Sequence, residues 1–224
     1  MLGEISRKEQ LVLVTMFILL LIGIFFAFTD IKYLHGVYVR EDGFIEWLTV
    51  LALFLGSLLC LYRASTIKLR RGGLFLLGLL VLSGIYFFGA GEEISWGQRI
   101  LGVKSSQFFM DYNSQGETNL HNLVLSGVKV NRLIFGTLLG ICVASYLLFL
   151  PLLYRKYQWV NNLIDMGAVP IPRNIHIICY ILLFTLISFT PSAKKGELLE
   201  FGGCWIFFLI TLNPLNAELF INKR

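Results

Sequence analysis

The sequence predicts an all-α bundle of about six membrane-spanning helices, with both termini on one side and a single long polar loop on the other. Three observations carry this. Hydrophobic residues make up 56% of the 224 and charged residues 15%, with a mean hydropathy of +0.73. A soluble domain usually carries about 25% charge. Leu11–Thr29 and Leu133–Tyr154 contain no charged residue, and uncharged apolar runs of about 20 residues suit a bilayer core. The charges are also segregated between successive connections.

Taken in order, the first span covers 11–29. Arg7 and Lys8 precede it as in a signal peptide, but the run is longer than an h-region and no small-x-small site follows. It is read as an uncleaved helix. Further spans are placed at 44–62, 73–91, 133–154, 174–190 and 198–215, with an outer loop at 92–132, all in one membrane domain over 1–224. The fifth is short, and the sixth meets Pro214, where a helix tends to stop. In the fourth, Gly136 and Gly140 have the small-xxx-small spacing that lets helices approach closely.

Charge sets the orientation. The N-terminal side collects Arg7, Lys8, Arg63, Lys68, Arg70, Arg71, Arg155, Lys156, Arg173, Lys223 and Arg224. The opposite side collects Asp30, Glu41, Asp42, Glu46, Glu92, Glu93, Asp111, Glu117, Glu197 and Glu200. Positive residues favour the inner face, so the chain is predicted N-in and C-in. The net charge of +5 then reflects topology, and no nucleic-acid partner is expected. Cys60, Cys142, Cys179 and Cys204 lie in apolar runs without a CxxC pair, so no disulfide or thiolate metal site is expected.

The chemistry gathers at the outer ends of the spans. In "GEEISWGQRI" (91–100), a continuing helix would put Glu92, Ser95, Trp96 and Arg99 on one face. In "EDGFIEWLT" (41–49), Asp42 is read as an N-cap and Glu46 sits one turn inside. "NSQGETNLHNL" (113–123) holds Glu117 and His121 at i, i+4, and "KKGELLEF" (194–201) brings Glu197 and Glu200. Acids at helix N-termini meet a favourable macrodipole, which accounts for Glu46, Glu117, Glu197 and Glu200. Glu92 and Glu93 end a helix, where the dipole opposes them, so they need partners such as Arg99, Arg132 or a histidine.

From this pattern the candidate catalytic groups are Glu92, Glu93 and His121. The candidate substrate-binding groups are Trp96, Gln98, Arg99, Asn113, Gln115, Asn119 and Asn122. Glu46, Glu93, Glu117 and His121 form a ligand set for one divalent metal ion, with hard oxygen donors dominant. No HExxH or HxxxH spacing, nucleophile elbow or phosphate-cradling glycine loop occurs. The polar cluster lies at head-group depth, so the expected function is a membrane enzyme acting on a lipid or lipid-linked substrate. An ion- or proton-coupled transporter and a non-catalytic scaffold or sensor are the alternatives. Membrane lipids are the expected partners; protein partners and homo-oligomerisation stay open.

The three polar strings, in their order along 40–125, resemble the signature of a family of bacterial polytopic inner-membrane proteins with no assigned activity. The resemblance implies an inner-membrane location and makes the polar cluster the distinguishing feature. The Glu46-Trp47 pair and the Glu-Glu-Ile-x-Trp string also resemble alkaline ceramidases and their relatives, which implies a metal-dependent lipid hydrolase. Those enzymes carry seven helices and an HxxxH pair near the last ones, where this chain has Glu197 and Glu200 and no histidine.

Overall fold

A computed structural model describes residues 5–67, 72–125, 128–129 and 136–221. Seven helices organise it: α1 (Arg7–Thr29), α2 (Phe44–Ile67), α3 (Gly73–Glu93), α4 (Gly136–Lys156), α5 (Gln158–Met166), α6 (Asn174–Ser188) and α7 (Lys195–Leu212). Four of them, α1 to α4, are long and apolar enough to cross a membrane. The predicted spans at 174–190 and 198–215 correspond to α6, which is shorter, and α7, which begins three residues earlier in the charged "KKGELLEF" string.

α7 is the central post. It packs on α2, α6 and α1, while α3 lies along α2 and reaches α7 through Tyr86. One apolar core joins Leu20, Leu183, Leu198, Phe201 and Ile206 from α1, α6 and α7. The outward faces stay apolar, as with Leu77, Val81 and Ile85 of α3. In water such a surface would be an aggregation liability; around a membrane helix it meets lipid.

Of the Gly136/Gly140 spacing, Gly140 makes no close helix contact: among the described residues nothing lies within 4 Å of the position a Cβ would take there. The tight approaches are elsewhere. A Cβ on Gly78 would sit 1.9 Å from the Gly167 carbonyl oxygen, and one on Gly56 would sit 2.9 Å from the Tyr86 ring. Between α2 and α3, Ser57 and Ser83 share a buried hydrogen bond of 2.9 Å. Tyr86 then meets Thr211 of α7 at 2.7 Å, and Arg63 donates to the carbonyl of Leu212 at 2.9 Å. These bonds satisfy backbone and hydroxyl groups that lipid could not.

α1, α3 and α4 carry the chain between two ends of the bundle. One end bears the GEEISWGQRI string. The other, the N-terminal end, holds Glu9, buried beside Arg173 and His176.

Candidate functional site

α3 stops at Glu93 because the next residues leave helical space. Ser95 and Trp96 adopt φ of 46° and 55°, and Gly97 follows at 75°. The single face predicted through Glu92, Ser95, Trp96 and Arg99 is therefore broken. The turn instead folds Trp96 back over Gly91, edge-on to Phe88, so that Trp96 Nε1 donates to Glu92 Oε1 at 2.9 Å.

Glu92 is 4% exposed and spends its other oxygen on the backbone N–H groups of Leu120 and His121, at 2.6 and 3.1 Å. It clamps the 117–122 segment onto the end of α3. Three donors resolve the mismatch with the helix dipole. Arg99 makes a second clamp. Its Nε lies 2.7 Å from Asp42 and its Nη2 3.2 Å from Glu46, and its Nη1 pairs with Glu117. The ordinary arginine pKa rises further here: burial opposes the charge, but the Glu117 and Asp42 carboxylates outweigh it.

The asparagine- and glutamine-rich string closes on itself. Asn113 Oδ1 accepts from the N–H of Gln115 and of Glu117, and its Nδ2 donates to Asn119. Asn119 donates to Ser95, which donates to Glu117 at 2.6 Å. Gln98 accepts from the Thr118 N–H at 2.7 Å, and Gln115 receives the Asn122 side chain while reaching Glu41. The loop is thus folded, with short helical turns at Gln98–Leu101 and Gln107–Tyr112 and paired strands Val124–Leu125 and Val128–Lys129.

Several expectations change accordingly. Gln98, Arg99, Asn113, Gln115, Asn119 and Asn122 form the wiring of a cap, in which Gln115 and Trp96, the latter 43% exposed, face outward. Asp42 is not the N-cap of α2, which begins at Phe44; its carboxylate goes to Arg99, and Glu46 reaches back to the Asp42 N–H. Glu117 lies in irregular chain, not at a helix N-terminus. The Glu46, Glu93, Glu117 and His121 set does not assemble as metal ligands, because Arg99 takes Glu46 and Glu117. Among the described residues no three His, Cys, Asp or Glu side chains are arranged to hold a metal ion. Arg132 lies outside the described residues.

Glu93 differs from its neighbour. It is half-buried and, among the described residues, its carboxylate makes no hydrogen bond or ion pair. It faces Glu200 and Glu197 of α7 and Glu46 of α2, close enough for mutual repulsion. Glu197 is likewise half-buried and Glu200 exposed, and neither side chain has a hydrogen-bonding partner among the described residues. Glu197 and Glu200 are functional candidates that the sequence argument assigned to the helix dipole. Their i, i+3 spacing on α7 was the available signal; that they oppose Glu93 depends on the tertiary packing.

His121 Nδ1 lies 3.8 Å from Glu92 Oε2. Burial disfavours its charged form, but the adjacent Glu92 carboxylate and the charges of Glu200 and Glu197 prevail and raise its pKa above the ordinary 6.5. A raised folded-state pKa stabilises the fold fully below pH 6.5, and this contribution is lost as pH rises through the folded value. The wild-type unfolding temperature in detergent should therefore fall over that interval, and a His121→Gln variant should lose this segment of the profile. Parallel profiles would refute the coupling.

No protein-family model, curated protein or solved structure matches the chain.

Proposed function

We propose that the protein is a membrane-embedded enzyme acting at head-group depth on a lipid or lipid-linked substrate, with Glu93 as the acid–base group. Glu197 and Glu200 complete an acidic face opposite it, and His121 is the nearby cationic partner. One observation carries this reading: Glu93, Glu197 and Glu200 lie near one another, half-buried or exposed, and among the described residues their carboxylates have no hydrogen-bond partner, whereas Glu92 and Glu117 beside them are bonded within the cap. Carboxylates held at close quarters suit proton transfer. Glu92 and Arg99 become positioning residues that hold the cap. The acidic face favours a substrate with an amine-bearing head group over an anionic one.

The six-span, N-in and C-in topology belongs to the same proposal, with α6 and α7 crossing and the site on the outer face of a bacterial inner membrane. Membership of the uncharacterised inner-membrane family would follow from the three polar strings. The ceramidase likeness contributes the substrate class but not the metal chemistry.

The test needs no chosen substrate. Wild-type protein and Glu93→Gln are reconstituted with a total bacterial polar lipid extract, and the lipids are profiled by mass spectrometry over time. A species consumed by wild type and spared by Glu93→Gln is expected. Identical profiles would overturn the enzyme reading.

A second reading, an ion-coupled carrier, is favoured by the buried polar pairs Ser57–Ser83 and Tyr86–Thr211, which lie deeper in the bundle on the helices that carry the acidic face. It would be supported by proteoliposome proton flux that Glu93→Gln abolishes.

A further inference from the structure

The nine-residue helix α5 begins at Gln158, two residues after α4 ends. Its side chains divide into three sectors at helical spacing. Val160 and Ile164 turn inward, Val160 fully buried and Ile164 half-buried. Gln158 and Asn162, joined at 3.1 Å, form a polar edge. Trp159, Leu163 and Met166, at i, i+4 and i+7, form an apolar strip that is 68%, 55% and 48% exposed.

This strip cannot roll inward. Asp165 is held by the Tyr154 hydroxyl at 2.8 Å and by Asn216 at 3.3 Å. The following turn is wedged against α3, where Gly167 meets Gly78 and Ala168 takes φ of 53°. The strip also continues the lipid-facing side of α4, where Leu152 is 62% exposed. Arg155 and Lys156 are exposed at its start, and the one acid of the helix, Asp165, is bonded to Tyr154 and Asn216.

We propose that α5 is an in-plane anchor that lays Trp159, Leu163 and Met166 into the membrane interface at the N-terminal end of the bundle and gathers anionic head groups through Arg155 and Lys156. Amphipathic helices with basic flanks and an aromatic on the apolar side bind membrane surfaces in this way. Three side chains on so short a helix offer far less than the surface a stable dimer requires, so a second copy is the poorer occupant.

The full-length protein is placed in nanodiscs of phosphatidylcholine and phosphatidylglycerol, with bromine high on the acyl chains. The fluorescence of Trp159 is obtained as the difference between wild type and Trp159→Phe. About two-fold quenching by the lipid bromines is expected, with little quenching by aqueous iodide. Native mass spectrometry then compares retained phosphatidylglycerol with the Arg155→Gln, Lys156→Gln double variant, in which a loss of about three-fold is expected. Trp159 quenched by iodide and not by bromine would overturn the proposal. So would a Trp159 shielded from both, which would mean a protein covers the strip. Unchanged phosphatidylglycerol in the double variant would overturn the anionic component. All the substituted residues are surface-exposed, so unfolding temperatures should match wild type.

Discussion

Arg99→Gln is expected to release the cap at the end of α3. The substitution removes the one cation shared by Asp42, Glu46 and Glu117 and leaves three carboxylates facing one another. Removing one partner of a buried pair costs about 3–5 kcal/mol, and this site, with the arginine side chain 24% exposed, should sit near the low end. The cap should then become the first region cut by protease, between residues 100 and 123, while α2 and α3 stay protected. Arg99→Lys should fall between, because an ammonium cannot span three carboxylates as a guanidinium fork does. Protease patterns and unfolding temperatures equal to wild type in Arg99→Gln would show that the cap is held by other means.

Glu9→Ala should be comparably damaging at the opposite end. Glu9 is 2% exposed and joins three elements. It accepts from the Ser6 N–H that starts α1, from Arg173 Nη1 before α6 at 3.2 Å, and from Asn213 after α7 at 2.9 Å, with His176 Nε2 at 3.7 Å. Its loss takes the counter-charge from Arg173, which is 11% exposed, and a cost of about 3–5 kcal/mol follows. Glu9→Gln, which keeps an acceptor, should lose less. Unfolding of the detergent-purified variants by heat is the measurement, and a Glu9→Ala curve superimposed on wild type would refute the assignment.

The long helices were legible because hydropathy alone marks them: α1, α2 and α3 begin or end within a few residues of the predicted spans. The regional location of the polar cluster was legible too. Its wiring was not. The string from Glu92 to Arg99 reads as a helical face only if the helix continues, and Ser95 and Trp96 in left-handed backbone end it. Nothing in the order of residues shows which of two adjacent glutamates is saturated. Glu92 takes three donors and Glu93, among the described residues, none, because the 117–122 segment folds over one side of the helix end. Glu9 was harder still. Ser6 and Glu9 fit a helix-start motif, which conceals that the carboxylate also serves two distant helices.

The two charged clusters also constrain biogenesis. Glu46 must wait for Arg99, 53 residues later, and Glu9 waits for Arg173 and Asn213, 164 and 204 residues later. Chains emerge from the ribosome N-terminus first. The first two long helices are therefore made with acids whose counter-charges have not yet been synthesised. Those acids must be sheltered by water, protons or the insertion machinery until the rest arrives. The last helices to be made thus act as the closing step of assembly, and chains truncated before residue 173 should be recognised by quality-control proteases as incomplete.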